Sequence, residues 1–267
     1  YYINFESDVQ KMIATDFEKY YIVSGEIDLS EVQWEPSKFV LSGGITGRNN
    51  AKFKNIKVAG LNWNDNEKTY FGGLFTEIGS EAFIRDISFE FSNVLFQIES
   101  DEDLNRAPSY NGFLGALAGR NSGTIENVSV SISNANEMKV TIKGGYTLSI
   151  GGMFGENMRL ISTSITSSST NNTLFSGRIN FIDSTLVAGP AHILYVGGVA
   201  GRNSGGRIER TIEEGLVEFN NSFASVNATI DVRYASKNIG LDEGSVEGIG
   251  SIVGLNRYQS SAIIEEM

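Results

Sequence analysis

"LGALAGRNSGTIENVSV" (residues 114–130) and "VGGVAGRNSGGRIERTI" (residues 196–212) are near copies of each other within one chain. Both contain AGRNSG, and both continue into a segment with an isoleucine at its start. A catalytic loop seldom needs a second copy, whereas a structural unit that stacks on itself must recur. The duplication therefore predicts a repeat architecture.

Weaker copies of the unit occur along the chain. Six segments align on a leading glycine, and these glycines are Gly43, Gly72, Gly115, Gly151, Gly197 and Gly250. The residue two positions later is apolar in all six, which predicts a short buried strand between glycines. The glycine that follows in most copies suits a corner with positive φ. The asparagine two residues further on suits a ladder of amide hydrogen bonds between stacked copies.

A second apolar segment follows each corner and alternates with a period of two residues, as in residues 53–58, 83–91 and 124–132. Such alternation is typical of strands with one face in the core. Strand, glycine corner and strand, repeated, predict an all-β chain that winds about one axis as a single-stranded parallel β-helix with loop excursions.

The start of the chain and the glycine units together resemble a known family, the right-handed β-helices built from GLUG repeats. In that family a short helix precedes an I-D-L-S…W strand, which Ile27–Ser30 and Trp34 match here. The following turns have the form G-G-L-x-G-x-N-x-G-x-I-x-N-x-x-V. The resemblance covers most of the chain, and residues 213–245 fit least well. It implies a right-handed β-helix of the kind found in bacterial surface adhesins and in accessory regions of immunoglobulin-A1 metallopeptidases.

Residues 7–19 predict a short α-helix that caps the first turn of the β-helix. Ser7 and Gln10 fit a capping box, and Val9, Ile13 and Phe17 share one face. No linker divides the chain, so we expect one domain over residues 1–267, with β-helical turns from about 21 to 264. The chain begins without an initiator methionine, and we expect it to be a fragment of a larger surface protein.

The charge balance excludes several classes of partner. The chain has 32 acidic and 21 basic residues, for a net charge of −11. This charge argues against binding to nucleic acid, to an acidic polysaccharide or to an anionic lipid surface. Cysteine is absent, which excludes disulfides and thiolate metal sites, and no apolar run is long enough to span a membrane.

Residues suited to catalysis or metal binding are few. His192 is the only histidine, and its apolar neighbours indicate a partly buried strand edge. Asp101 and Asp103 could bind calcium, but their segment lacks the glycine turn and distal glutamate of an EF-hand loop. The stacked arginines Arg48, Arg120 and Arg202 would repel one another, so we expect them to face solvent or to pair with glutamates. We therefore predict no enzyme activity and no cofactor.

Aromatic residues remain as candidate ligand-binding residues. They are Trp63, Tyr70, Tyr110, Tyr146, Tyr195 and Tyr234. Tyr110 and Tyr146 both stand five residues before a leading glycine, so they should fall in one lateral stripe of a stack whose strands lie ~4.8 Å apart. A flat aromatic row suits sugar rings, whose C–H faces pack on π surfaces.

These patterns predict a non-catalytic, extracellular adhesion module on a bacterial cell surface that binds a neutral polysaccharide such as cellulose. In general character this is similar to the tāpirins, which are cellulose-binding surface proteins. A protein-binding adhesin or an accessory domain of a surface protease is the alternative. A polysaccharide lyase or hydrolase is the third possibility, because such enzymes also use parallel β-helices.

Overall fold

The structure is a computed structural model that describes residues 1–14, 17–32, 40–99, 110–133, 136–165, 173–184, 193–212, 225–234, 246–257 and 263–264. Within these ranges there is one helix, α1 (Glu6–Ala14), and every other regular element is a β-strand.

The strands are numbered in chain order. The first part of the chain contains β1 (Tyr2–Ile3), β2 (Tyr20–Asp28), β3 (Val40–Leu41), β4 (Gly44–Ala59), β5 (Asn62–Asn64), β6 (Thr69–Gly72), β7 (Phe75–Ile78), β8 (Phe83–Arg85) and β9 (Ser88–Glu99). The middle contains β10 (Tyr110–Gly115), β11 (Ala118–Asn121), β12 (Thr124–Glu126), β13 (Ser129–Ile132), β14 (Met138–Lys143), β15 (Tyr146–Gly151), β16 (Phe154–Asn157), β17 (Leu160–Ile165) and β18 (Thr173–Asp183). The last part contains β19 (Ile193–Gly197), β20 (Ala200–Ser204), β21 (Arg207–Ile212), β22 (Ser225–Tyr234), β23 (Val246–Gly250), β24 (Val253–Arg257) and β25 (Ile263–Ile264).

These strands form three sheets. Sheet B consists of β3, β7, β11, β16, β20 and β24, and sheet C consists of β5, β6, β10, β15, β19 and β23. The remaining strands make the 13-stranded sheet A. Among the described strands every pairing is parallel except that of β5 with β6. The prediction of an all-β chain with parallel strands is confirmed.

The chain visits the sheets in a fixed order. From β6 onward each repeat runs through sheet C, then sheet B, then sheet A, and each strand pairs with its equivalent in the next repeat. The register is set by the glycine units, because Gly115 pairs with Gly151, Gly151 with Gly197 and Gly197 with Gly250. The four units from Gly115 onward therefore occupy equivalent places. The Gly72 unit is in register in sheet B, where Phe75 pairs with Ala118, but is displaced by one residue in sheet C, where Gly72 pairs with Leu114.

The unit at Gly43 does not match the others. Ile45 pairs with Ile84 in sheet A and not with Leu74, the residue that the sequence alignment made its equivalent. The place in sheet B before β7 is taken by Val40–Leu41, which pairs with Glu77–Ile78. Glycine is required at position 44 for a different reason, because a Cβ there would lie 2.3 Å from the Phe83 ring.

In the five units from Gly72 onward, the apolar residue lies in the bend between sheets C and B, not within a strand. Leu74, Leu117, Met153 and Val199 all have no solvent exposure there. Their backbones continue the ladder between repeats, since the Leu117 N–H donates to the Met153 carbonyl at 3.0 Å. The unit is therefore a bend that drives one apolar side chain per repeat into the core.

The second glycine of the unit permits close packing of sheets B and C. Gly119, Gly155, Gly201 and Gly254 are not among the described residues with positive φ, so the prediction of a left-handed corner is wrong. A Cβ on Gly155 would lie 2.2 Å from the Leu114 nitrogen, and one on Gly201 would lie 2.3 Å from the Ile150 nitrogen. Because no real Cβ fits at such distances, only glycine lets the two backbones meet here.

Helix α1 covers the first repeats. Val9 and Met12 are buried on its inner face. The capping device differs from the predicted Ser7–Gln10 box, because the Asp8 carboxylate accepts the N–H groups of Asn4 and Phe5, each at 3.2 Å. These bonds, with that to Asn4 the strongest influence, lower the pKa of Asp8 below its ordinary value. The helix is too short and too polar to cross a membrane, and the described residues contain no other.

Candidate ligand-binding face

Of the six aromatic residues predicted from the sequence, the four whose side chains are described do not form one row. Trp63 and Tyr70 face each other across the antiparallel pair β5–β6, with ring centroids 4.7 Å apart. Both rings are half-buried, and Tyr70 packs against the core. Trp63 also donates its Nε1–H to Asp65 at 2.9 Å. Trp63 and Tyr70 thus pack together over the edge of the core.

The prediction that Tyr146 binds a ligand is wrong. The predicted register is confirmed, because Tyr110 pairs with Tyr146 in sheet C. The Tyr146 ring, however, has no solvent exposure, lies edge-on to Phe181, and donates its hydroxyl to Asp183 at 3.1 Å. It faces inward with Leu148 and Ile150, the next residues of the same parity on β15. Tyr146 therefore cannot contact a ligand on the surface.

Several predicted residues lie outside what the structure describes. Tyr110 and Tyr234 belong to β10 and β22, but their side chains are not described. His192, Trp34 and the calcium candidates Asp101 and Asp103 fall outside the described ranges altogether. Among the described residues, no group of three or more histidine, aspartate or glutamate side chains could hold a metal ion.

Tyr195 lies in a column of sheet C that arginines cover. The column runs Phe71, Phe113, Ser149 and Tyr195 across neighbouring strands. The guanidinium of Arg202 stands 4.7 Å from the Phe113 ring centre, and that of Arg120 stands 5.2 Å from it. These cation–π contacts occupy the ring faces, so this column offers little aromatic surface to a ligand.

The arginines belong to a row of alternating charge along sheet B. The backbone register places Glu77, Arg120, Glu156 and Arg202 side by side on successive strands. Glu156 is 4% exposed and accepts from Arg120 at 3.1 Å and from Arg202 at 2.7 Å. The expectation that arginines pair with glutamates is confirmed for these two. Arg48 is not in the row, because β4 places it exposed in sheet A.

Electrostatics favour the charged state of Arg120. Burial by itself lowers the pKa of Arg120, but a hydrogen bond to Glu67 and the charge of Glu156 outweigh it and raise that pKa above its ordinary value. The Arg120 Nη2 lies 2.8 Å from a Glu67 carboxylate oxygen. The row is therefore a structural clamp between repeats, with its charges neutralised locally.

The predicted asparagine ladder also exists. Asn121 donates to Asn157 at 2.8 Å, Asn157 to Asn203 at 2.9 Å, and Asn203 to Asn256 at 3.0 Å. The first three of these residues have no solvent exposure. Asn49, placed in the same column by the sequence, is instead exposed in β4 and donates to Ser24. The side chains of the ladder and of the charge row therefore serve to hold the repeats together at sheets B and C.

Exposed aromatic rings gather on the outer side of sheet A. Tyr2 is 65% exposed and Tyr20 is 64% exposed, whereas their strand neighbours Ile3 and Tyr21 are buried. Because successive side chains of a strand face opposite ways, Tyr2 and Tyr20 lie on the same outward side, with Tyr2 opposite Ile22. We call Tyr2, Tyr20 and Phe83 the aromatic face.

Phe83 completes the aromatic face from two strands away. Its ring lies over Gly44 and stacks on the Tyr20 ring, with centroids 5.7 Å apart and an interplanar angle of 23°. The guanidinium of Arg85 stands 4.1 Å from the Phe83 ring centre and pairs with Glu126. The glycine thus allows two rings from non-adjacent strands to form one continuous surface.

The sequence contained a signal for this face that the repeat pattern obscured. Tyr1–Tyr2 and Tyr20–Tyr21 are paired tyrosines, and in a strand one member of each pair must face outward. A surface of stacked, exposed rings can pack against an apolar or sugar ligand. Comparison with protein-family models, with curated proteins and with solved structures finds no match for this chain.

Proposed function

We propose that the chain is a right-handed parallel β-helix that serves as a non-catalytic adhesion module on a bacterial cell surface, where it binds a neutral polysaccharide such as cellulose through the aromatic face. The in-register parallel strands and the fixed order of the three sheets support a β-helix. The resemblance to GLUG-repeat proteins supports the surface location and the right-handed winding.

The stack of Tyr20 on Phe83 is the observation that carries this proposal. The Phe83 ring, which Arg85 covers on the outside, supports the Tyr20 ring, and Tyr20 stays 64% exposed on the surface of a rigid sheet, where sugar rings can pack their C–H faces against it. Because neighbouring strands already fix the rings, binding loses little conformational entropy.

Polar groups beside the rings suit sugar hydroxyls. Thr124 pairs with Phe83, and Thr46 pairs with Arg85, so both threonines stand on the same outward side of sheet A. Arg85 and Glu126 add a donor and an acceptor that neutralise each other. The surroundings of the aromatic face therefore offer hydrogen bonds without net charge, which favours a neutral ligand.

Retention on crystalline cellulose, compared with retention of albumin, tests the proposal. We expect the wild-type chain to be retained and Tyr2→Ala and Tyr20→Ala each to lose most of that retention. Met158→Ala is the matched control, since Met158 is 45% exposed and lies outside the aromatic face. Equal retention of all variants would rule out the aromatic face, and failure of the wild type on every neutral glycan would rule out the function. Release of reducing ends from any glycan would overturn the non-catalytic assignment.

A further inference from the structure

A polar groove lies on the outer side of sheet A, and its lining includes none of the three residues of the aromatic face. Its volume is about 590 Å³, and its walls include Asn93, Asn136, Lys139, Arg178 and Asn227. Amide, hydroxyl and charged groups dominate the lining. The groove therefore suits a ligand with several hydrogen-bonding groups, not an apolar one.

A detour of the chain between β13 and β14 forms this groove. Ile132 pairs with Phe91, and Met138 pairs with Val94, so the chain between them has more residues than the facing part of β9. At the two ends of this surplus, the Asn136 N–H donates to the Ser133 carbonyl at 2.8 Å. The sheet continues beneath, which gives the groove a rigid floor.

Two cations in the groove are available to a ligand. Lys139 and Arg178 are exposed, and neither makes a hydrogen bond or ion pair with another residue in the described part of the chain. Lys52, Lys54 and Arg233 on the same sheet instead pair with carboxylates. Arg178 only influences Asp231 from a distance, and Asp231 is already bound by Arg233.

The groove also contains one carboxylate, that of Glu137, which a hydrogen bond from Asn180 holds in place. Asn180 is 6% exposed and donates to a Glu137 carboxylate oxygen at 2.9 Å, while its own Oδ1 has no partner in the described residues. Asn180 pairs with Lys139 across the strands, so the amide and the cation share one column. Two cations and one carboxylate give the groove a net charge of +1, which matches a ligand group with a single negative charge.

We propose that this groove binds a carboxylate-bearing sugar residue of a short acidic oligosaccharide. Arg178 and Lys139 bind the carboxylate, and Glu137 with the asparagine amides binds the hydroxyls. The sign of the local charge differs from that of the whole chain, which is −11. A long polyanion is repelled by that overall charge. A short or sparsely charged oligosaccharide experiences only the charges of the groove, since charges beyond about 8 Å are screened at physiological salt.

Calorimetric titration with trigalacturonate, cellotriose and inorganic phosphate tests this inference. We expect trigalacturonate to bind the wild-type chain, and Arg178→Gln and Lys139→Gln each to weaken it by about fivefold to tenfold. Arg159→Gln is the matched control, because Arg159 is an exposed cation outside the groove, and it should change affinity by less than about twofold.

The remaining outcomes each decide the question. Equal affinity of the wild type and the Arg178→Gln/Lys139→Gln double variant overturns the site, as does equally tight binding of phosphate, which would indicate a general anion site. Unchanged trigalacturonate binding by Tyr20→Ala supports a groove separate from the aromatic face. A chain that fails to bind cellulose but gives the expected trigalacturonate results would retain this inference and lose the proposed function.

Discussion

Asn157 and Asn203, which stand 46 positions apart in the chain, are joined by a 2.9 Å hydrogen bond between their buried side-chain amides. The same Asn157 amide group accepts from Asn121 and also donates to the Arg159 carbonyl. Each asparagine thus links its strand of sheet B to the equivalent strand of the next repeat, and every bond in the row runs in the same direction.

Removing one member of this ladder should destabilise the fold. Asn157→Ala leaves the Asn121 donor and the Asn203 acceptor buried without partners, and we expect the free energy of unfolding to fall by about 3 kcal/mol. Urea unfolding measures the change. Asn111→Ala is the control, since Asn111 is exposed, and its effect should be below about 0.5 kcal/mol. A similar loss in both variants would contradict a structural role for the ladder.

The glycine contacts between sheets B and C predict a second effect. Gly155→Ala would place a Cβ 2.2 Å from the Leu114 nitrogen, and backbone atoms cannot move aside cheaply. We expect a loss of about 3 kcal/mol in unfolding free energy. Gly79→Ala should cost clearly less, because its nearest neighbouring atom is 3.2 Å away. Thermal melts that rank the two variants in the opposite order would refute close packing as the reason for the glycine.

The charge row predicts a strong effect of a single carboxylate. Glu156→Gln removes the shared partner of Arg120 and Arg202 at a site that is 4% exposed, and we expect a loss of about 3 kcal/mol. Glu126→Gln is the less buried counterpart, because the side chains of Glu126 and its partner Arg85 are 37% and 40% exposed, and its loss should be about 0.5 kcal/mol. Urea midpoints for both variants at low and high salt check this, and equal losses would show that burial does not matter.

Tyr146 provides a test that separates stability from binding. Tyr146→Phe leaves the ring in place but removes the hydroxyl that donates to Asp183, so unfolding free energy should fall by about 1 kcal/mol. Retention on cellulose should remain at the wild-type level, since the ring is buried. A stable Tyr146→Phe variant that no longer binds cellulose would contradict the assignment of binding to the aromatic face.

The N-terminal helix predicts a dependence on pH. The folded-state pKa of Asp8 lies below the ordinary value of 3.8, chiefly because of the Asn4 N–H bond. The stabilisation is therefore complete above that value and is lost as the pH falls through the lowered folded pKa. Asp8→Ala should unfold earlier in urea than the wild type at pH 6, and the difference should shrink toward pH 3. A constant difference would mean that the carboxylate charge contributes nothing.

The features that could be predicted from the sequence are those in which the same side-chain interaction recurs in every repeat. The asparagine column could be predicted because a buried amide in a stack has one obvious partner, the same amide in the next repeat. The pairing of Arg120 with a glutamate followed from the repulsion that unpaired arginines would cause. Both predictions rest on residues whose partners lie in neighbouring repeats at the same position.

Other features depended on facts that sequence similarity does not contain. The segment at Gly43 has the letters of the repeat but lies in sheet A, because Val40–Leu41 occupies the place before β7. Tyr146 and Tyr20 differ in exposure because of strand parity, which the alignment of leading glycines did not consider. The stack of Tyr20 on Phe83 needed Gly44 between them, a relation between three strands distant in the chain.

From β10 onward the bend between sheets C and B has a constant length, whereas the asparagines that follow it recur after 36, 46 and 53 residues. All variation in repeat length is therefore confined to sheet A and to the connections on either side of it. An engineered repeat could carry a foreign peptide of almost any size at those connections, provided its own bend keeps both glycines. The molecule is in this sense a display scaffold in which only the bend between sheets C and B must be kept unchanged.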